Sequence, residues 1–371
     1  MDQPSGVGLS WSADEAKYVT SDSQASADNL RFLKAFFRVF PQFQKNPFYA
    51  TGESYGGHYV PQLSERILDD PDNKINMKGF WIGNPGLNSD WYYNVDEYAF
   101  ITFMYHHGLL PQKAYQPCVA ACGWEEFLDA CSRDYIHPTE ACNATTHAAW
   151  KYIPSVFDPY SYLAPTCHDD DSNDKFTAQY TPHLNHLRMI HGRADISYNP
   201  CISKETAVYM RKPEVLKALH AETHPNPNWP EARSGWQYGD EKANIMLLFP
   251  KFRRLAPHWK IHVVSGTADA AVPFIGTQRE IECLKLPVVE DWKYWFIKGD
   301  VAGSIKTFGV KDEGRGFQGS KKEAVSSIPF LSLVTVKGCG HTIPSYCPEA
   351  GYEMLRLYLE QQASPIQELQ L

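Results

Sequence analysis

Gly52-Glu53-Ser54-Tyr55-Gly56 sets a serine between two small residues at the spacing of a nucleophile elbow. A serine on a sharp strand-to-helix turn has a strained backbone, and small residues two before and two after leave room for it. Its hydroxyl is then presented at the end of a sheet and the start of a helix. Such a nucleophile needs a base, and the base needs an orienting carboxylate. Two later segments supply them in the order serine, acid, histidine. The apolar run Ile261–Ser265 leads into Gly266-Thr267-Ala268-Asp269, and Leu331–Val336 leads into Lys337-Gly338-Cys339-Gly340-His341. Asp269 and His341 each follow an apolar strand on a glycine-bearing turn. The chemistry expected of Ser54, Asp269 and His341 is nucleophilic attack on an acyl group.

The elements that must position them can be read from periodicity. Within Asp28–Phe40, Leu30, Leu33, Phe36, Phe37 and Phe40 recur at helical spacing, and Pro41 ends the run. Pro47–Thr51 is a short turn-bounded strand, a helix follows Gly57 to about Asp69, and Met77–Ile82 is a second strand closing on Gly83-Asn84-Pro85-Gly86. Strand, helix, strand in that order predicts an α/β fold with a mostly parallel central sheet. From about Pro85 to Gly239 the pattern is broken by Pro, Cys and polar clusters, with Lys212–His220 helical. Then come a helix over Ile245–Leu255, the two strands before Asp269 and His341, and a terminal amphipathic helix over Ala350–Glu360.

The chain has 371 residues, 43% apolar and 21% charged, with a formal net charge of −8. This composition suits a large core and excludes disorder. A mild acidic excess leaves no electrostatic footprint for nucleic acid or an anionic membrane, and no stretch approaches a membrane span. Six of the nine Cys lie between Cys118 and Cys201. That density predicts an oxidising compartment and a disulfide-stapled insert, and the odd total leaves at least one Cys without an intrachain partner. Asn143-Ala144-Thr145 is a glycosylation sequon in the same stretch, which makes Asn143 a candidate site. The opening Met1-Asp2-Gln3-Pro4-Ser5-Gly6 has neither the basic start nor the apolar centre of a signal peptide. Residues preceding Met1 reconcile these three facts.

Rival chemistries fail on spacing. Cys118 and Cys122 have a tolerable zinc spacing, but no second close pair follows. In His220-Ala221-Glu222-Thr223-His224 the Glu follows the first His by two places, which loses the general-base geometry of a zinc-protease helix. His183 and His186 beside Pro182 lack a third ligand, and Asp169-Asp170-Asp171 lacks a calcium-loop pattern. Cys339 has no elbow and reads as a residue lining the pocket. With no phosphate loop and no dinucleotide fingerprint, neither a metal nor a cofactor is expected.

Gly52-Glu53-Ser54-Tyr55-Gly56-Gly57-His58-Tyr59-Val60-Pro61 resembles the signature of the serine carboxypeptidase family. Asp2–Ser10, Ile82-Gly83-Asn84-Pro85, the Asp269 loop and Gly340-His341-Thr342-Ile343-Pro344 resemble that family in the same order, so the likeness spans Asp2 to about Leu359 and is weakest in the Cys-rich middle. It implies an α/β-hydrolase fold with an inserted cap. Residues 1–84 and 241–371 would form the core and 85–240 the cap. Carried over by position, Ser54 is the nucleophile, Asp269 the orienting acid, His341 the general base and the Tyr55 backbone N–H one oxyanion donor. Glu53 would bind the terminal carboxylate of a substrate. Two carboxylates bond only by sharing a proton, so binding would favour acidic pH. The implied activity is release of C-terminal residues from peptides through an acyl-enzyme, by a monomer or homodimer of the secretory pathway, lysosomal, vacuolar or extracellular. The same triad would also serve an acyltransferase.

Three departures stand out. The family's N-terminal portion, with a glycine-rich segment that supplies the second oxyanion N–H, has no counterpart after Met1. A chain without it could be a non-catalytic binding protein. That portion also carries a Cys bridged to the body, which would account for the odd count. Thr267 replaces the first Asp of the family's usual Gly-Asp-x-Asp loop, while Asp269 is kept.

Overall fold

A computed structural model describes residues 2–72, 74–87, 97–124, 138–154, 157–167, 200–221, 237–239, 245–311 and 327–360. The chain begins with β1 (Val19–Thr20), α1 (Asp22–Val39), β2 (Phe48–Glu53), α2 (Gly56–Asp69) and β3 (Met77–Gly83). Helices α3 (Glu97–His106), α4 (Gln112–Cys122), α5 (Glu140–Trp150), α6 (Ile202–Met210) and α7 (Pro213–Ala218) follow, then β4 (Gln237–Tyr238). The last part holds α8 (Leu248–Leu255), β5 (Lys260–Gly266), α9 (Phe274–Glu282), β6 (Val288–Ile297), β7 (Asp300–Lys311), β8 (Ser327–Val336), α10 (Ile343–Tyr346) and α11 (Pro348–Glu360).

These elements group into two compact units. Met1–Asn29 and Ala164–Glu241 form the smaller one. In it β1 pairs with β4 in parallel, the Tyr238 hydroxyl donates to Asp22 Oδ1, and Asn29 Nδ2 donates to Gln3 Oε1 at 3.0 Å. A Cys167–Cys201 disulfide joins its later segment.

Leu30–Leu163 and Lys242–Leu371 form the larger unit, built on a six-stranded sheet of order β2-β3-β5-β8-β7-β6. The first four strands run parallel, and β7 and β6 are antiparallel. Period-2 alternation sorts the central strands onto two buried faces. Phe80, Ile82, Ile261, Val263, Leu331 and Leu333 join one core cluster, where Phe80 meets Phe249 and Phe252 of α8 at ring distances of 6.2 and 5.7 Å. Val264, Val334 and Val336 point to the other face, where Trp81 and Met354 of α11 pack. Both faces are covered, so these strands read as near-continuous apolar runs.

Differences from the expected elements have local causes. α1 starts six residues earlier than Asp28, because Ser21 caps it: Ser21 Oγ accepts the Gln24 N–H at 3.2 Å and Ser21 O accepts Ala25 N–H at 2.8 Å. That first stretch has no apolar stripe to reveal it. The β6–β7 hairpin was not expected. Its turn is Lys298-Gly299, both at positive φ (49° and 83°), a hairpin geometry that Asn-Gly usually announces. Charged residues and three register shifts along β6 blur its alternation.

One buried group on β5 makes the fold sensitive to acid. His262 is buried with its ring 4.5 Å from that of Tyr358, whose hydroxyl donates to Lys260 O at 3.0 Å. Burial, reinforced by the Lys260 charge, pushes the His262 pKa down to about 3. A histidine depressed below its unfolded value of about 6.5 contributes stability that is full above that pH and is lost as pH falls towards the folded value. Between pH 7 and pH 5 the loss is about 2 kcal/mol. His262→Leu should remove most of this dependence, so the urea midpoint of the variant should fall less than that of the parent over this interval. An equal fall in both would show that His262 is not the responsible group.

Candidate active site

Ser54 stands between β2 and α2 with φ of +57°, a left-handed conformation that costs a non-glycine residue free energy. The surrounding backbone holds it there. Ser54 N–H donates to Gly83 O at 2.9 Å, and Ser54 O accepts from Gly57 N–H at 2.9 Å and Gly86 N–H at 3.1 Å. The elbow is thus stitched to the turn that follows β3. Gly52 is sterically required, since a Cβ there would lie 2.8 Å from Val60 Cγ2 and 3.1 Å from Gly56 Cα. Gly56 is not: a Cβ there meets nothing within 4 Å. The required small residue after the serine is Gly57, where a Cβ would approach Gly86 O to 2.3 Å. The small residue that the turn needs after the serine is thus Gly57 and not Gly56, to which the sequence pattern assigns it.

Asp269 is 0% exposed, and four donors converge on its carboxylate. His341 Nδ1 lies 2.7 Å from Oδ2, and Asn84 Nδ2 donates to the same oxygen at 2.6 Å. Ala271 and Val272 N–H donate to Oδ1 at 2.8 and 3.2 Å. Among these, Asn84 is the residue that sequence reasoning did not single out. It is buried at φ of +40°, its N–H donates to Val264 O at 2.7 Å, and its Oδ1 accepts Gly266 N–H at 3.2 Å. The available signal was its place in Gly83-Asn84-Pro85-Gly86, just past the end of β3.

His341 is buried on the turn between β8 and α10. Its N–H donates to Tyr160 O at 2.7 Å, and the Tyr160 ring lies 5.0 Å from the imidazole. With Nδ1–H donated to Asp269, Nε2 is left as the acceptor. Nε2 is buried and has no hydrogen-bond partner among the described residues. The acid and histidine turns approach closely because Gly266 and Gly340 lack side chains. A Cβ on Gly266 would lie 2.3 Å from Cys339 O, and one on Gly340 2.6 Å from Tyr160 O. Thr267, the departure from the family loop, links the same turns: its Oγ1 accepts Gly338 N–H at 2.8 Å.

Glu53 is partly buried beside Ser54. Desolvation raises its pKa above the ordinary carboxyl value; His341 and Thr342 pull against the rise and Asp269 adds to it. Tyr55 starts the helical turn after the serine, with its ring exposed and stacked on His58 at 4.5 Å. Asn143 is exposed on α5, one residue after Cys142, which is bonded to Cys122 of α4. Asp169, Asp170, Asp171, His183, His186 and His224 lie outside the described residues. Among the described residues, no group of three or more His, Cys, Asp or Glu could hold a metal ion, and no helix is long and apolar enough to cross a membrane.

The family described as serine carboxypeptidase matches residues 1–361. Serine carboxypeptidase II-1 of Hordeum vulgare is 31% identical over 357 residues, covering 93% of this chain and 95% of that one. Serine carboxypeptidase-like 29 of Arabidopsis thaliana is 29% identical over 367 residues, 97% of this chain and 68% of that one. Among solved structures, Kex1Δp, a prohormone-processing carboxypeptidase from Saccharomyces cerevisiae, superposes with a TM-score of 0.62 at 16% identity, over 99% of this chain and 74% of that one. That likeness carries the α/β-hydrolase fold, and with the family match over nearly the whole chain it leads to one assignment: the chain belongs to the serine carboxypeptidase family of hydrolases.

Proposed function

We propose that this chain releases C-terminal amino acids from peptides through an acyl-enzyme, with Ser54 as nucleophile, His341 as general base and Asp269 as orienting acid. The observation that carries the proposal is the His341–Asp269 pair, at 2.7 Å, whose second ring nitrogen is buried and has no partner among the described residues. A base in that state is ready to accept a hydroxyl proton. Ser54 gives that proton to Nε2 as its Oγ bonds the scissile carbonyl carbon. The imidazolium returns it to the leaving amino acid, and the carboxylate of Asp269 stabilises the cation meanwhile. Water then repeats the sequence on the acyl-enzyme. The Tyr55 N–H, at the start of α2, is the donor proposed for the developing oxyanion.

Glu53 is proposed to hold the substrate's terminal carboxylate. Desolvation favours its protonated form, and that proton is what two carboxylates need in order to bond. An acidic working compartment in the secretory or vacuolar system fits this requirement. The Cys122–Cys142 and Cys167–Cys201 disulfides support the same placement, since such bonds persist in oxidising compartments. Glycosylation at Asn143 belongs to the same proposal. So does the reading of 85–240 as a cap inserted into the hydrolase core, supported by the adjacency of β3 and β5 in the sheet although the chain leaves between them.

Release of the terminal residue from an N-blocked dipeptide should be faster at pH 5 than at pH 7.5. Ser54→Ala should lower it by at least about 10³-fold. Release that survives this substitution would sink the assignment of the nucleophile. Transfer of the blocked acyl group to an added alcohol or amine in place of water would mark an acyltransferase. In Glu53→Gln, a neutral side chain replaces the titrating one, so KM should lose its rise between pH 5 and pH 7.5. A KM that still climbs as in the parent would dissociate Glu53 from carboxylate binding. Asn84→Ala leaves Asp269 without its side-chain amide donor. We expect kcat lower by roughly 10- to 10²-fold with KM nearly unchanged. A matched change in both constants would instead point to a general structural role.

A further inference from the structure

The histidine turn carries two thiols that the proposed reaction does not use. Cys339, two residues before His341, is fully buried, and Cys347, at the junction of α10 and α11, is partly exposed. Neither belongs to a disulfide, although other cysteines of the chain do. The two converge on one oxygen: Cys347 N–H donates to Ile343 O at 2.8 Å, and the Cys339 thiol donates to the same oxygen at 3.7 Å. Both pack in the cluster with Val336, Ile343 and Met354. Cys339 is also tied to the acid loop, since its carbonyl accepts Ala268 N–H at 2.8 Å, one residue before Asp269.

We infer that Cys339 and Cys347 form a dithiol site that closes to a disulfide at the expense of a low-molecular-weight disulfide, and that the bridge alters the reactivity of Ser54 through the His341 turn. The second half of this inference rests on the function proposed above. The partly exposed Cys347 is the entry sulfur. Its thiolate attacks the small disulfide, forms a mixed disulfide and expels one small thiolate. The Cys339 thiolate then attacks the Cys347 sulfur and expels the second. Two protein S–H bonds and one small S–S bond are exchanged for one protein S–S bond and two small thiols. Burial, with the neighbouring Cys347 and Glu53, pushes the Cys339 thiol well up, so the second step favours higher pH. Two separate thiols must come together to reach a bond of about 2.05 Å. That closure pulls on Cys339, and hence on Gly340 and His341. A misplacement of about 1 Å at such a site can cost ~10²-fold in rate.

The test uses the folded chain, oxidised glutathione at pH 8 and a fluorophosphonate that labels nucleophilic serines. Trypsin releases Gly338–Arg356 as one peptide holding both cysteines. After treatment it should be lighter by two hydrogens and should resist alkylation. A peptide isolated already in that form supports the bridge equally. Fluorophosphonate labelling should be at least about tenfold slower in the bridged form than in the dithiol form. Cys347→Ser should label at the same rate with and without glutathione. Two alkylatable thiols after prolonged exposure would overturn the bridge. Equal labelling of bridged and unbridged chains would overturn its coupling to Ser54. Absence of labelling in every form, with Ser54→Ala indistinguishable, would overturn the nucleophile itself while the peptide mass still decides the bridge. A thermal scan of Cys347→Ser confirms that the comparison is between folded proteins.

Discussion

A carboxylate removed from water is tolerable only where its lone pairs are matched by donors, and Asp269 is such a carboxylate. Its four donors come from three separate places: the turn after β3, its own loop, and the turn after β8. Only a parallel arrangement that brings the C-terminal ends of β3, β5 and β8 side by side can deliver all of them. The registers Gly83↔Val264 and Gly266↔Val336 set those ends together. The sheet order and the site are therefore one constraint. A slip of one residue in β5 would exchange its two buried faces and also break the match to Asp269.

Asn84 is where this constraint meets the proposed nucleophile, Ser54. Its side chain bonds Asp269, while the turn that carries it bonds the Ser54 backbone from both sides, through Gly83 O and Gly86 N–H. Strain at Ser54 is held by neighbours that are themselves fixed. The absence of side chains at Gly52, Gly57, Gly266 and Gly340 allows the three turns to approach within backbone contact distance. Hydrogen bonds then do what side-chain packing does elsewhere. This division suits a site where the reacting groups must be held closely while a face stays open to substrate.

Much of this was legible in sequence, for identifiable reasons. The central strands are buried on both faces, so apolar runs leading into glycine-bearing turns mark β3, β5 and β8 to within a few residues. Ser54, Asp269 and His341 stand out in sequence because a motif, a chain order and two strand ends agree. Asn84 escaped because a buried asparagine has no periodicity and its partner lies far along the chain. The β6–β7 hairpin escaped because edge strands with charges and bulges lose alternation, and Lys-Gly is a quiet turn signal. Helices α3 to α6 were hidden among Pro, Cys and polar residues; α3 itself, Glu97–His106, is apolar nearly all round and so has no stripe to detect. The smaller unit joins segments distant in sequence through a two-residue ladder and the Tyr238–Asp22 hydrogen bond, which no local pattern announces.

Desolvation acts with opposite signs in the site and in the core beneath it. At Glu53 it raises a carboxyl pKa, so the folded state gains relative stability below the ordinary carboxyl value and loses it as pH rises through the raised one. At His262 it lowers an imidazole pKa, so the folded state loses stability as pH falls. An enzyme that uses a protonated Glu53 must work on the descending side of the His262 dependence. The remaining ties must then carry the fold there. Disulfides do so without regard to proton binding, and the α4–α5 and smaller-unit bridges are of that kind. Covalent cross-links thus offset, through the unfolded chain, what the buried His262 gives up in the folded one as pH falls.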